Sequence, residues 1–360
     1  MENMTVLTRV GNQGQEIYAF QFESDAPVKK EKVSISGNYL DTSIDCFLAM
    51  QTGRMADGVQ DTYWEKGLLT IYVAPFSSQA PYELRINGKP FTAKDARQVK
   101  TSWADDFRPV EENGLRYRIY EPVGESSRPL ILFLHGGGEG GTDNWKQLVG
   151  CFGPTFLAEK YPDCFVMAPQ ADQPEPTREQ LEAFKKQTFY NSWNATGWDR
   201  ETLARVCDAI RGMIAAGKVD PKRVYVTGLS MGGGGTLRAM SVGGDLFAAA
   251  VPVCPTMTPE TFHILCSLTH AKIWIAASYI DHTLYRHKYL VDAVMALRDA
   301  GNQEAHLTLF SPEDLARYGI GIIPDMPLEA RFGWNHTCWI PTYHDEYGIM
   351  SWMMSQIRDK

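Results

Sequence analysis

Hydrophobic residues follow two different patterns along the chain, and the change falls near residue 100. Residues 1–100 contain short β-branched and aromatic runs separated by turn residues; the clearest are Glu16–Phe22, Lys32–Ile35 and Gly67–Phe76. Tyr82–Ile86 alternates strictly and is followed by Asn87-Gly88, a dipeptide that favours a tight hairpin. Because one small sheet cannot bury its apolar face alone, this pattern predicts a small antiparallel β-sandwich. We interpret the mostly polar residues 92–105 as a linker.

From about residue 106, strands and helices alternate, which is typical of a largely parallel sheet. Continuous apolar runs predict strands covered on both faces at Pro129–Leu134, Cys164–Ala168, Phe247–Val253 and Lys272–Ala277. A stripe at helical spacing predicts a helix over Asp199–Ala216, with Asp199 as its N-cap, and a second helix covers 287–300. We therefore predict an α/β fold with a catalytic domain over 106–360, preceded by a small all-β domain over 1–100.

The strongest chemical motif lies in residues 222–236. The apolar run Val224–Val226 leads into Gly228-x-Ser230-x-Gly232, and further glycines lead into an apolar stretch. This is the strand–turn–helix pattern of a nucleophile elbow, in which a Cβ on either glycine would collide with a neighbouring element. The motif predicts Ser230 as a catalytic nucleophile. A glycine-rich surface turn is the alternative.

A serine hydroxyl needs a base and an orienting acid to act as a nucleophile at neutral pH. In α/β-hydrolases these follow the serine in the order acid, then histidine. His336 lies in a glycine- and aromatic-containing loop and is the predicted base, with His344 as the second candidate. Asp281 follows the predicted strand 272–277 and is the predicted acid. The other candidate acids are Asp325 and Glu329. An aromatic-packed histidine and a helix-capping aspartate are the corresponding structural alternatives.

An oxyanion hole requires backbone N–H groups that can approach a carbonyl oxygen closely. The glycine-rich run His135–Gly141 directly follows the predicted strand 129–134. We predict that the amides of Gly137, within 136–138, and of Met231, the residue after the nucleophile, supply the two donors. His135 is expected to be structural and to hold this loop.

Aromatic residues cluster before the first helix and beside the candidate base. Trp193, Trp198 and Trp334 are candidate substrate-pocket residues, with packing at the sheet edge as the alternative. Residues 310–331 are longer than a simple connection requires and form a candidate lid.

Two further glycine patterns are weaker. Gly136-x-Gly138-x-x-Gly141 matches a dinucleotide fingerprint, but no apolar-periodic helix follows it. Gly212–Lys218 has the spacing of a phosphate-binding loop, but Val219 stands where Ser or Thr would bind magnesium. The Cys and His spacings suggest no zinc site, so we expect neither a cofactor nor a metal.

Net charge, hydrophobic run length and cysteine content bear on nucleic-acid binding, membrane insertion and cellular location. The net charge is −8 and no run of Lys or Arg occurs, which argues against nucleic-acid binding, and no apolar run is long enough to span a membrane. Seven scattered cysteines without a C-x-x-C pair, and a start without a signal peptide, favour a cytoplasmic protein with reduced thiols. A secreted form whose leader has been removed is the alternative, and a homo-oligomer formed through the N-terminal domain is possible.

From about residue 106 the chain resembles esterases related to polyhydroxybutyrate depolymerases and prolyl-oligopeptidase-type hydrolases, especially those with an N-terminal immunoglobulin-like domain. The matching stretches are Leu134-His-Gly-Gly-Gly-Glu-Gly-Gly-Thr-Asp-Asn144, Ala168-Pro-Gln170, Val219-Asp-Pro-Lys-Arg-Val-Tyr-Val-Thr-Gly-Leu-Ser-Met-Gly-Gly233, Phe247-Ala-Ala-Ala-Val-Pro252 and His336-Thr-Cys-Trp-Ile-Pro-Thr342. The resemblance implies an α/β-hydrolase fold with Ser230, Asp281 and His336 as its triad. Over residues 1–100 it rests only on strand content and position.

These observations predict a serine carboxylester hydrolase that acts on small acyl or aryl esters, including plant-cell-wall or sugar-linked acyl and phenolic esters. Two alternatives stay open. One is a prolyl-oligopeptidase-like peptidase acting on short peptides. The other is a non-catalytic protein that binds carbohydrate or a partner and keeps a degenerate hydrolase core.

Overall fold

The structure is a computed structural model that describes residues 1–11, 14–37, 58–124, 127–172, 198–281, 286–320 and 335–358. The chain divides into two compact units. The first comprises Met1–Asp106 together with Val149–Phe152, and the second comprises Phe107–Leu148 together with Gly153–Lys360.

The described part of the first unit is built from strands and short 3-10 turns. Its strands are β1 (Glu2–Gly11), β2 (Gly14–Glu23), β3 (Val33–Ser36), β4 (Val59–Glu65), β5 (Leu68–Ser77), β6 (Glu83–Ile86), β7 (Lys89–Phe91) and β8 (Ala96–Thr101). They form a five-stranded sheet in the order β4-β5-β2-β1-β8 and a three-stranded sheet in the order β3-β6-β7. The 3-10 turns are Lys30–Lys32, Ala93–Asp95 and Ala104–Asp106.

Aromatic side chains from both sheets share one core. The rings of Phe22 and Phe91 lie 4.9 Å apart, and those of Phe20 and Tyr82 lie 5.1 Å apart. The predicted hairpin is confirmed, because Asn87 and Gly88 connect β6 to β7 with φ values of 49° and 81°. Such positive φ values at both central residues match the twist of the flanking strands.

The predicted linker over residues 92–105 is wrong, because it contains strand β8. β8 pairs in parallel with β1 at the edge of the five-stranded sheet. The four residues 97–100 are exposed, and Thr101 is the buried residue of the strand. An edge strand with solvent on its side chains needs no alternation of apolar residues, so its sequence does not distinguish it from a polar connection.

The second unit contains a mixed sheet of eight described strands. They are β9 (Arg108–Glu112), β10 (Leu115–Tyr120), β11 (Arg128–Leu134), β12 (Phe165–Gln170), β13 (Val219–Leu229), β14 (Ala249–Val253), β15 (Ile273–Ser278) and β16 (Ala305–Phe310). Their order is β16-β15-β14-β13-β11-β12-β10-β9. β11 to β16 run parallel, and β9 and β10 add an antiparallel edge. The four continuous apolar runs of the sequence all lie in this sheet as β11, β12, β14 and β15.

The described α-helices of this unit follow the strands. They are α1 (Lys146–Val149), α2 (Pro154–Lys160), α3 (Arg200–Ala215), α4 (Met231–Gly243), α5 (Pro259–Ser267), α6 (Arg286–Asp299), α7 (Pro312–Ala316), α8 (Trp339–Tyr343) and α9 (Ile349–Ser355). Short 3-10 turns cover Gly244–Leu246 and Glu346–Gly348. The predicted cap of α3 is confirmed, since Asp199 accepts a hydrogen bond from the Thr202 N–H. Because β11, β13 and β15 are parallel, the segments that follow them emerge at the same edge of the sheet.

Candidate active site

Ser230 occupies a strained turn between β13 and α4. Its φ is 55° and its ψ is −114°, a combination that L-residues rarely adopt. The Ser230 N–H donates to the Val253 carbonyl at 2.9 Å, and the Ser230 carbonyl accepts from the N–H groups of Gly234 and Thr256 at 3.1 and 2.9 Å. The surrounding backbone therefore holds the serine in this conformation from both sides, as a strained functional residue requires.

The two glycines of the motif are required by close backbone contacts. A Cβ on Gly228 would lie 2.5 Å from the Leu134 carbonyl oxygen, and one on Gly232 would lie 1.9 Å from the same atom. Both distances are far shorter than a carbon–oxygen contact allows. The G-x-S-x-G spacing thus reflects how closely α4 and the end of β13 approach the end of β11.

Ser230, His336 and Asp281 form a continuous hydrogen-bonded line. The His336 Nε2 atom lies 2.9 Å from Ser230 Oγ, and the Nδ1 atom lies 2.8 Å from Asp281 Oδ2. Asp281 and His336 are 1% and 2% exposed, whereas Ser230 is half-buried. Because a carboxylate oxygen can only accept, Nδ1 carries the proton, which leaves Nε2 to accept the serine proton. The structure therefore brings together all three residues predicted from chain order.

Two contacts hold the loop that carries His336. Ser278, at the end of β15, donates its hydroxyl hydrogen bond to the carbonyl of Asn335, and the Trp339 ring meets the imidazole edge-on at 5.7 Å between centroids. The other candidate base, His344, lies after α8 with its ring 4.9 Å from that of Phe156. Burial, together with the charge of Lys160, lowers the pKa of His344. The other candidate acids, Asp325 and Glu329, lie outside the described residues.

The segment His135–Asn144, which we call the oxyanion loop because it contains the predicted donor Gly137, follows β11 and is held by polar side chains. The His135 Nδ1 atom lies 2.7 Å from the Gly136 carbonyl oxygen, and the Ala171 N–H donates to His135 Nε2 at 3.0 Å. This pair of contacts selects the tautomer with the proton on Nδ1. Burial lowers the pKa of His135 to about 4, so the ring is neutral at pH 7. His135 is thus a structural residue of the loop, as the sequence predicted.

A second side chain that holds the oxyanion loop is the Glu139 carboxylate, which the sequence analysis did not identify. The Gly136 N–H donates to Glu139 Oε2 at 2.7 Å, and Glu139 is buried. The Gly141 N–H donates to the Ala171 carbonyl at 2.9 Å and ties the end of the glycine run to the segment after β12. The sequence feature that could have indicated this role is an acidic residue between glycines, directly after a buried strand.

The structure describes the backbone at both predicted oxyanion donors. Gly137 is exposed in a turn outside the described strands and helices, and Met231 is the first residue of α4. The N–H groups of the first helical turn have no carbonyl partner within their own helix. Their role as oxyanion donors stays a prediction.

Of the predicted pocket residues, Trp198 lies in the core. It is 0% exposed, its Nε1–H donates to the His135 carbonyl at 3.0 Å, and its ring lies 4.8 Å from the His135 ring. A Cβ on Gly235 would lie 2.8 Å from the indole, so α4 packs directly on it. A side chain with no accessible surface does not line a pocket, so this assignment of Trp198 is corrected to support of the oxyanion loop. Trp193 and Trp334 lie outside the described residues, as does the part of the candidate lid from 321 to 331.

Other kinds of site are not formed by the described residues. These residues contain no group of three or more His, Cys, Asp or Glu side chains arranged to hold a metal ion. The described helices are all too short or too polar to cross a bilayer. Among the described residues, Cys164, Cys207, Cys266 and Cys338 are free thiols.

Residues 183–311 match the prolyl oligopeptidase family of peptidases. The matched segment contains Ser230 and Asp281 and ends before His336. No curated protein sequence matches the chain significantly.

Solved structures with similar folds include a thermostable esterase, at 21% identity and a TM-score of 0.71, over 99% of this chain and 100% of that one. An acylaminoacyl peptidase from Pyrococcus horikoshii matches at 13% identity and a TM-score of 0.44, over 78% of this chain and 47% of that one. Thermogutta terrifontis esterase 2 phosphorylated by paraoxon matches at 15% identity and a TM-score of 0.39, over 68% and 95%. The sheet order and the elbow give this chain an α/β-hydrolase fold, and its Ser–His–Asp line has the geometry of a serine-hydrolase site.

Proposed function

We propose that the protein is a serine carboxylester hydrolase that acts on small acyl or aryl esters. The observation that carries the proposal is the unbroken line from Ser230 Oγ through the His336 imidazole to the buried Asp281 carboxylate. A nucleophile, a base within reach of its proton and a group that orients the base are the parts that acyl transfer requires.

In the first half-reaction, Ser230 Oγ attacks the ester carbonyl carbon while its proton passes to His336 Nε2. The imidazolium that forms is stabilised by the Asp281 carboxylate, 2.8 Å from Nδ1. The carbonyl oxygen becomes an oxyanion, and the amides of Met231 and Gly137 donate to it in this proposal. One such donor is worth roughly 3 kcal/mol of transition-state stabilisation.

Collapse of the tetrahedral intermediate breaks the bond to the alcohol oxygen, which leaves with the proton from His336 Nε2. The acyl group remains on Ser230 Oγ. A water molecule then gives its proton to His336 and attacks the acyl carbon, and the same steps in reverse order release the carboxylic acid and restore the serine. No redox step or external reactant besides water is needed.

The substrate side of the proposal rests on the sequence alone. Trp193 and Trp334 are proposed to contribute flat rings to an acyl or aryl pocket, where such rings would contact a phenolic or sugar-linked acyl group. The first unit is proposed to be an immunoglobulin-like sandwich, which the two sheets formed by its described strands support.

A peptidase acting on short peptides is the second candidate, and the match of residues 183–311 to a peptidase family favours it. The two activities share the triad and differ in the leaving group, since an amine must be protonated before it departs. A panel of p-nitrophenyl esters of increasing acyl length, acetylated xylan, methyl ferulate and a prolyl-p-nitroanilide peptide separates them. Higher kcat/KM for the anilide than for every ester would overturn the esterase proposal.

A fluorophosphonate probe and Ser230→Ala test the chemistry directly. We expect stoichiometric labelling at Ser230 in the native protein, and loss of both labelling and p-nitrophenyl acetate hydrolysis in Ser230→Ala. Ser241→Ala is the matched control, because Ser241 is exposed on α4 and lies in the same helix that follows the nucleophile. Absence of labelling in the native protein would favour the non-catalytic binding protein instead.

A further inference from the structure

The peptide group between His135 and Gly136 is held at both of its polar ends. Its carbonyl oxygen accepts from Trp198 Nε1–H at 3.0 Å, and its N–H donates to Glu139 Oε2 at 2.7 Å. A peptide group rotates as a rigid plane. With both ends bonded to buried side chains, this plane is fixed.

The next peptide group, between Gly136 and Gly137, is held at one end. Its carbonyl oxygen lies 2.7 Å from His135 Nδ1. The bond is trans, so the carbonyl and the N–H of the same plane point in opposite directions. The contact to His135 therefore turns the Gly137 N–H away from the imidazole. Because Gly137 is exposed, a substrate oxygen can reach this N–H.

Glu139 reaches Gly136 because the chain reverses at Gly138. Gly138 has a φ of 90°, a region that glycine adopts without steric cost. The reversal brings the side chain of Glu139 back over the loop to the amide three residues earlier. The backbone of Glu139 is anchored in turn, because its carbonyl accepts from Gln170 Nε2 at 3.2 Å.

We propose that Glu139 is a positioning residue, whose carboxylate oxygen fixes the plane before Gly136 and thereby sets the direction of the Gly137 N–H toward the oxyanion. This inference rests on the proposed function, because the direction of that N–H matters only if an oxyanion forms there. The Glu139 carboxylate occupies the Gly136 amide and so leaves the Gly137 amide as the donor of this loop. What the proposal requires from Glu139 is an acceptor oxygen at the right reach, which a neutral side chain of the same length also carries.

Two substitutions of similar size separate the effect of the length of the Glu139 side chain from the effect of its charge. Glu139→Gln keeps the length of the side chain and an acceptor oxygen but removes the charge. Glu139→Asp keeps the charge but withdraws the acceptor by one methylene group. With p-nitrophenyl acetate, we expect Glu139→Asp to lower kcat by about tenfold or more, with KM changed less than about threefold, because misdirecting a donor acts on the transition state. Glu139→Gln should stay within about threefold of the native kcat.

Inhibition by an aryl trifluoromethyl ketone provides the second readout. Ser230 Oγ adds to the ketone carbon, its proton goes to His336, and the former carbonyl oxygen becomes an anion held by the oxyanion donors. The inhibition constant should rise in Glu139→Asp by the same factor by which kcat falls. A residue that only stabilised the fold would shift the fraction of folded protein, measured by circular dichroism and active-site titration, and would leave both quantities unchanged per active site.

The controls separate this inference from the proposed function. Glu159→Gln, on an exposed residue of α2, should match the native enzyme in every measurement. If the native protein labels at Ser230 and hydrolyses esters but Glu139→Asp keeps its kcat, or Glu139→Gln loses as much as Glu139→Asp, the positioning role is wrong and the esterase proposal stands. If the native protein neither labels nor turns over, the proposed function fails and this inference fails with it.

Discussion

The nucleophile elbow and the oxyanion loop meet at the end of β11, but different forces give each its shape. The elbow depends on backbone contacts, because Gly228 and Gly232 leave no room for a Cβ beside the Leu134 carbonyl. The oxyanion loop depends on side chains, since His135, Glu139 and Trp198 hold its peptide groups by hydrogen bonds. One site therefore combines a part shaped by steric exclusion with a part shaped by polar bonding.

The difference predicts different sensitivities. A sterically shaped turn responds to added volume and is indifferent to pH, because it contains no titrating group. A loop held by a neutral histidine and a carboxylate responds to the loss of a single donor or acceptor and to protonation. Four experiments test this contrast.

The largest effect is expected for Gly232→Ala. The new Cβ would lie 1.9 Å from a backbone carbonyl oxygen in the middle of the sheet, where neither strand nor helix can move away cheaply. We expect a loss of at least about 3 kcal/mol in the free energy of unfolding, measured by urea denaturation, together with loss of labelling at Ser230. Native-like stability in this variant would show that the elbow is looser than its contacts indicate.

Acid should weaken the oxyanion loop through His135. Burial lowers the pKa of His135 to about 4, below the value of 6.5 for an exposed histidine. The unfolded chain therefore binds a proton between pH 6.5 and 4 that the folded chain does not. The stability contributed by the neutral ring is complete above pH 6.5 and is lost as the pH falls toward 4, by about 3 kcal/mol in all.

The variant His135→Asn isolates this contribution, because asparagine can still donate to the Gly136 carbonyl but does not titrate. Urea unfolding of both proteins from pH 7.5 to 4 should show a steeper loss in the native protein. Parallel curves would contradict a buried neutral histidine at this position. Gly232→Ala should leave the pH dependence of the free energy of unfolding unchanged.

A smaller effect is expected for Trp198→Phe. Phenylalanine keeps an aromatic ring against His135 but removes the Nε1–H that binds the His135 carbonyl at 3.0 Å. Leaving a buried carbonyl without its donor costs about 1–2 kcal/mol. We expect that loss in the free energy of unfolding and a lower kcat with little change in KM. A change confined to KM would contradict the supporting role and would indicate that Trp198 contacts the substrate.

The smallest effect, and the opposite sign, is expected for Gly212→Ala. Gly212 lies in α3, and the described residues beyond its own helix backbone place no atom within 4 Å of a new Cβ, in contrast to Gly232. Alanine in a helix is favoured over glycine by about 0.5–1 kcal/mol, so the thermal unfolding temperature should rise slightly with no change in activity. If Gly212→Ala were also destabilised, the loss of stability in Gly232→Ala could not be assigned to the close contacts at the elbow.

The strands next to the nucleophile were predictable because they are buried on both faces. β11, β12, β14 and β15 appear in the sequence as continuous apolar runs, and the cap of α3 appears as Asp199 before an apolar stripe. The edge strand β8 was not predictable, since residues 97–100 are exposed and all but Val99 are polar. The hydrophobic pattern of a sequence reflects burial. It therefore predicts strands whose side chains are buried and misses strands whose side chains are exposed to solvent.

The elbow, and Asp281 and His336 as the favoured acid and base, could be predicted from the sequence, because the glycine spacing and the order of residues along parallel strands are local or topological properties. Tertiary structure alone decided how the oxyanion loop is held. The Trp198 indole binds a carbonyl 63 residues earlier in the chain, and His135 accepts from an amide 36 residues later. Whether an exposed-type residue such as Glu139 is buried over a glycine amide depends on a chain reversal and on packing between distant segments. Those contacts exist only once the sheet has brought the ends of its strands together.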